Sequence, residues 1–244
     1  MWTALLGGMR TACPGRARIV RLGGMRTARP GRMRLWAVCG IAGPALFTAA
    51  WLVSSLRQTG HSAAQVQLSG LAAVDARDPQ IMIAGFVGLG TCSVVFGAAL
   101  SRLDAAGSAG PWLVRCAGTA AVAAGLFRRD HMLLVGPGFA GESWHNQVHD
   151  VASGLAYATM IAAPLVLAWR FRGEPDWAAL SRPLQVLTLI SAATLALFAS
   201  RAVEPWNGTV QRLAVTGVLT AEALTAARML ALHRMSAGRP GRHR

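Results

Sequence analysis

The sequence contains no lysine, a single tyrosine and few charged residues of either sign. Charged residues make up 14% of the 244 positions, whereas 53% are hydrophobic. Soluble domains carry roughly 25% charged residues. This shortage excludes an ordinary water-soluble globular domain, and the mean hydropathy of +0.41 favours a chain embedded in a lipid bilayer.

The chain also lacks the short motifs of several protein classes. Its four cysteines do not form a loop framework, so no disulfide scaffold is predicted. No phosphate-binding loop and no Gly-x-Ser-x-Gly turn occurs, so none of the functions that depend on them is predicted.

Positive charge is abundant but confined to the two ends. All 24 cations are arginines against 10 acids, and the first 34 residues hold eight arginines and no acid. The segment from Arg228 onward holds five arginines and no acid. Beside apolar spans, such tails favour membrane topology and attraction to anionic lipid over nucleic-acid binding. The predicted partner is therefore the bilayer, with no nucleic acid.

Three regions follow from this pattern. Residues 1–34 form a basic extension in which residues 6–18 recur 16 residues later as residues 22–34, a duplication rich in proline and glycine that predicts disorder. Residues 35–232 form the transmembrane domain, and residues 233–244 form a basic C-terminal tail.

Six apolar runs predict an all-α polytopic membrane protein, a bundle of six transmembrane helices, since about 20 apolar residues cross a bilayer. The third run is the weakest, because it is short and contains Arg115. The runs are residues 35–56, 81–100, 112–127, 148–169, 184–203 and 210–232.

Arginine counts predict the orientation. With the N-terminus inside, the inner segments hold 18 arginines and the outer segments 6. We therefore expect a multi-pass protein of the cell membrane with both termini in the cytoplasm.

Residues 128–150 form the polar stretch of the domain and hold three of its histidines and three of its acids. Glu142, His145 and His149 are spaced so that a helix would present them on one side, as ligands of a divalent metal such as zinc. Asp130 or Asp150 would then serve as a partner or general base. The alternative is that these residues are solvated and cap a helix. Within this stretch, residues 132–140 are too short to cross and predict an interfacial or re-entrant piece.

Arginines on the same outer face suggest anion binding. Arg128, Arg129 and Arg212 could meet a phosphate head group, with Asp130 or Asp150 as an ion-pair partner of Arg212, or could simply extend toward the membrane surface. His149 is expected to line a polar pocket with them.

Two features of the spans add further hypotheses. Glu222 lies in the middle of the sixth span, where an acid suggests a proton relay or a neutral, hydrogen-bonded side chain. Gly90, Ser93 and Gly97 give the second span a smooth stripe suited to close helix packing. In a structural or partner-binding bundle, that stripe would face another chain.

Short motifs recur along the domain in a recognisable order: Gly43-Pro44, Leu68-Ser-Gly-Leu71, Gly125-Leu-Phe127 followed by Asp130, then His149 and finally Gln211-Arg212-Leu213. Together they resemble the domain-of-unknown-function 998 family of prokaryotic six-span membrane proteins. That family commonly has a proline after Gly-x-Phe, where this chain has Arg128. The resemblance implies the topology and no agreed activity.

The leading hypothesis is an integral membrane protein that binds a small polar ligand or lipid head group at its extracytoplasmic face, with His149, Asp130, Asp150, Arg212 and Arg128 lining the pocket. One alternative is a metal-dependent, membrane-embedded hydrolase acting on a lipid-like substrate, in which the metal activates a water. The other is a structural or partner-binding helix bundle.

Overall fold

A computed structural model describes residues 30–60, 62–133 and 142–237. This part of the chain is all-helical, with six long helices joined by turns and short 3-10 helices. The helices are α1 Pro30–Arg57, α2 Pro79–Leu100, α3 Ala109–Leu126, α4 Trp144–Phe171, α5 Ala178–Ser200 and α6 Asn207–Ala237.

The six helices form a ring in chain order. Each packs against the next, and α6 closes the ring on α1. One hydrophobic cluster, which includes Phe96, Leu100, Leu167 and Phe171, fills one end of the ring. A second cluster around Phe47 fills the other end, which carries residues 58–78 and is called the 58–78 end below.

Five of the six helices are long and apolar enough to cross a membrane: α1, α2, α4, α5 and α6. The helix predicted as the weakest span, α3, has 18 residues and carries an exposed Arg115. The chain is therefore a multi-span helical membrane protein, with five spans supported by length and hydropathy.

Several helix boundaries differ from those predicted. α1 begins at Pro30, inside the segment assigned to the extension, and α6 continues to Ala237, inside the segment assigned to the tail. α4 begins at Trp144, about one turn before the predicted start at residue 148. The polar residues 144–147 lower the hydropathy of this turn, but side-chain capping (described below) makes it helical. The described part leaves out residues 1–29, 134–141 and 238–244. Most of the extension predicted to be disordered and most of the predicted re-entrant piece therefore lie outside the described residues.

The glycine stripe of α2 serves packing within the chain. A side chain at Gly118 of α3 would approach the carbonyl oxygen of Gly90 to 2.5 Å, and one at Gly97 would lie 2.6 Å from Arg115 Cγ. The absence of a side chain at Gly118 and at Gly97 therefore allows α2 and α3 to approach closely. The prediction that this stripe faces another chain was wrong for Gly90 and Gly97, which face α3.

The segment between α1 and α2 folds back onto the bundle. The 3-10 helix Leu68–Ala72 is buried throughout and joins the second hydrophobic cluster. Gly70 approaches the Met132 carbonyl so closely that a Cβ would not fit there. This segment therefore covers the 58–78 end.

Candidate functional site

The polar residues predicted to form a site do collect at the 58–78 end, where they cap helices and hold loops. Ser143 is the N-cap of α4, and its hydroxyl accepts a hydrogen bond from the Asn146 backbone N–H at 3.2 Å. Such a cap satisfies an N–H group that has no partner within the helix. The cap explains why α4 starts before its apolar run.

Asp130 holds this cap in place. The Ser143 hydroxyl donates to Asp130 Oδ1 at 2.6 Å, and the Ser143 N–H donates to Asp130 Oδ2 at 2.7 Å. Both bonds favour the ionised carboxylate, so they lower the pKa of Asp130 below its ordinary value. Asp130 therefore fixes the loop after α3 to the start of α4.

His149 is buried and joins α3 to α4. Its Nδ1 lies 2.7 Å from the Ala124 carbonyl and 2.9 Å from that of Phe127, at the end of α3. Carbonyl oxygens only accept, so Nδ1 carries the proton and Nε2 accepts from the Ser153 hydroxyl at 3.2 Å. Both ring nitrogens are thus engaged, and the side chain supplies partners for carbonyls that the helix end leaves open.

The three proposed metal ligands have different surroundings. The exposed ring of His145 packs against Trp144, with ring centroids 3.8 Å apart. Glu142 accepts a short hydrogen bond from Asn146 Nδ2, whereas His149 lies in the interior. Within residues 30–60, 62–133 and 142–237, no group of three or more His, Cys, Asp or Glu side chains is placed to hold a metal.

Arg128 and Arg212 fasten the 58–78 segment to the bundle. Arg128 donates to the carbonyls of Ala72 and Ala73 at 3.3 and 3.2 Å. Arg212 donates to the carbonyls of Ala63 and Val66 at 2.6 and 2.8 Å. The guanidinium of Arg212 also lies 5.3 Å from the centre of the Trp51 ring, a cation–π contact.

Arg129 is the one arginine of the described residues whose side chain is buried. It is 7% exposed, and one terminal nitrogen lies 3.4 Å from Asp150, which is itself about half exposed. Its Nε has no hydrogen-bond partner in the described part of the chain. A buried guanidinium normally has its N–H groups paired, so Arg129 retains a donor for a further acceptor.

A second polar contact was missed by sequence reasoning. Gln211 Oε1 accepts from the Leu68 N–H at 2.6 Å, and its Nε2 donates to the Tyr157 hydroxyl at 2.7 Å. Gln67, which precedes Leu68 in the sequence, is also buried, and its Nε2 has no hydrogen-bond partner in the described part of the chain. The signal was present, since Tyr157 is the chain's one tyrosine and Gln211 belongs to a motif already singled out.

Glu222 lies apart from this end, inside the ring. The Ser93 hydroxyl of α2 donates to Glu222 Oε1 at 2.9 Å. Thr225, one turn further along α6, donates to the Ala221 carbonyl of its own helix at 2.8 Å. The acid is therefore hydrogen-bonded across the ring rather than along α6.

The motifs that carried the family resemblance contact one another at the 58–78 end. His149 holds the Gly125–Phe127 turn, Gln211 holds Leu68, and Arg212 holds Val66. A family model described as protein of unknown function (DUF998) matches residues 41–229. The chain belongs to this family. The DUF998 match extends from α1 to α6 and therefore includes the whole ring. No curated protein and no solved structure matches the chain.

Proposed function

We propose that this DUF998 protein crosses the cell membrane six times, keeps both termini in the cytoplasm and binds a phosphate-type anion at its extracytoplasmic 58–78 end. The anion is either the head group of a lipid or a small free anion. The excess of arginine on the opposite segments supports this orientation.

The binding proposal rests on the burial and incomplete pairing of the Arg129 side chain. The guanidinium is almost fully buried, makes one ion pair and keeps Nε without a partner. Arginine binds phosphate oxygens well because its N–H groups match their geometry. Gln67 Nε2 and Arg212 Nε are further buried donors without a hydrogen-bond partner at this end. They outnumber the one such acceptor there, Asn207 Oδ1, which supports a ligand that accepts hydrogen bonds.

The other predicted residues have supporting roles in this proposal. Arg128, Arg212, Asp130 and His149 hold the surrounding loops, as their backbone contacts indicate. Asp150 pairs with Arg129 from an exposed position and stands at the entrance to the site. Among the described residues no geometric feature favours the hydrolase, since its three candidate ligands do not converge.

Thermal unfolding of the full chain in lipid nanodiscs tests the proposal. We expect phosphatidylglycerol to stabilise the protein relative to phosphatidylcholine if the ligand is an anionic lipid. In phosphatidylcholine, inorganic phosphate should stabilise it if the ligand is a free anion. Arg129→Gln should abolish either effect.

Arg77→Gln is the matched control. It removes the same charge from the same end, but Arg77 is 59% exposed. Its response to lipid and phosphate should equal that of the wild type. An Arg129→Gln variant that elutes as a folded particle and still responds like the wild type contradicts the proposal.

A further inference from the structure

The middle of the helix ring contains an acid beside a small cavity. Glu222 stands at the midpoint of the 31-residue α6. The cavity has a volume of about 30 Å³ and is bounded by side chains of α2, α3, α4 and α6. It lies away from the 58–78 end, so the inference below does not depend on the proposed function.

The walls of this cavity are almost wholly apolar. Phe96, Val114, Met160 and Leu167 are among them, and Glu222 and Thr225 are the polar members. Thr225 uses its hydroxyl proton on its own helix. Ser93 then supplies the hydrogen bond that reaches the carboxyl group from another helix, at 2.9 Å.

No counter-charge faces the acid. Along the described cavity wall, Glu222 is the one ionisable group, with no Arg, Asp or His beside it from α2, α3, α4 or α6. The nearby titratable groups are two thiols, Cys92 of α2 and, through it, Cys39 of α1. An unpaired charge in the middle of a membrane span is costly, and this favours the neutral, protonated carboxyl group.

The size of the cavity restricts what it holds. A water needs about 10–15 Å³ of such volume, so this space of about 30 Å³ admits two or three waters and no lipid or metabolite. A divalent cation would require about six oxygen ligands, whereas the side chains of Ser93, Glu222 and Thr225 offer fewer oxygens than that. A proton needs no additional ligand.

We infer that Glu222, Ser93 and the cavity form a proton-binding site in the interior of the membrane. In this site a water in the cavity exchanges a proton with the Glu222 carboxyl group. Uptake converts hydronium and carboxylate into water and carboxylic acid, and release reverses the step. Ser93 holds the carboxyl in position through its hydrogen bond.

Infrared difference spectroscopy of the full chain in nanodiscs, recorded across a pH titration, tests this inference. We expect a carbonyl band of a protonated carboxyl that disappears in Glu222→Gln. The band should change frequency in Ser93→Ala, because the hydrogen bond is lost, and should shift when H₂O is replaced by D₂O. Glu142→Gln, at the 58–78 end, should leave it unchanged.

Three results would overturn the inference. The first is an identical spectrum for wild type and Glu222→Gln at every pH. The second is a band that fails to shift in D₂O, because the acid would then not exchange with water. The third is a band that appears only after Na⁺ is removed, which would indicate a cation site. If Glu222→Gln fails to fold, Glu222→Asp and Ser93→Ala replace it in the test. A carboxyl band that is unchanged in both of these variants would also overturn the inference.

Discussion

Two adjacent arginines show how far neighbouring side chains can differ in role. Arg128 extends to the backbone of residues 72 and 73, whereas Arg129 is buried against Asp150 with a donor to spare. From the sequence, Arg128 was one of five residues predicted to line the ligand pocket, and Arg129 was not among them; the proposed anion site uses Arg129 instead, on the strength of its burial and its unpartnered Nε. Adjacency along the chain gives no information about which guanidinium turns inward.

Asp130 gives a pH-dependent prediction at the same scale. Its pKa is lowered in the folded protein, so its contribution to stability is present above the ordinary aspartate pKa of about 3.9. That contribution is lost as the pH falls through the lower, folded-state value. Wild type should therefore unfold at a higher temperature than Asp130→Asn near neutral pH, and the difference should narrow on acidification.

Differential scanning fluorimetry in detergent across this pH range measures the effect. Asp104→Asn is the control, because Asp104 is an exposed carboxylate far from the 58–78 end. Its unfolding temperature should differ little from that of the wild type at every pH. A difference in unfolding temperature between wild type and Asp130→Asn that grows as the pH falls would show that the hydrogen bonds from Ser143 do not favour the carboxylate.

At the scale of helices, the close approach of α2 and α3 depends on glycine. Gly118 faces the backbone of Gly90 and Val94, whereas Gly154 of α4 has no atom within 4 Å of the position of an added Cβ. This contrast provides a matched pair of substitutions in the interiors of two helices.

Gly118→Ala should lower the free energy of unfolding by about 1–3 kcal/mol, because the added methyl group meets backbone that cannot move aside. Gly154→Ala should raise it by about 0.5–1 kcal/mol, because alanine favours the helix. Chemical denaturation in mixed micelles measures both. Equal effects of the two changes would contradict the packing described here.

At the scale of the whole molecule, a crossing by α3 determines on which side the C-terminus lies. Five helices have the length and hydropathy of spans, and an odd number would place the termini on opposite sides. α3 packs between α2 and α4 in the ring, which supports a sixth crossing.

Reporter fusions measure this directly. A reporter joined after residue 237 should indicate the cytoplasm, as should one joined within residues 101–108. A reporter joined after residue 205 should indicate the opposite side. Opposite locations for the 101–108 fusion and the C-terminal fusion would mean that α3 does not cross.

The sequence by itself determined the class of the molecule and the approximate place of every helix. Apolar runs of span length are local features, and the bilayer demands them whatever the helices contact. Family membership also followed from short local motifs, and the DUF998 match confirmed it. The start of α4 was missed because its first turn is polar and is stabilised by Ser143 and Asp130.

Only the tertiary structure decided what the polar residues contact. His149 reaches carbonyls 22 and 25 residues away, and Ser93 and Glu222 are 129 residues apart. Such pairs depend on which helix faces bring them together in the ring, and helical periodicity does not specify this. For the same reason, three residues whose spacing suggested metal ligands have separate surroundings: His145 is an exposed ring, Glu142 is bonded to the Asn146 side chain, and His149 is buried.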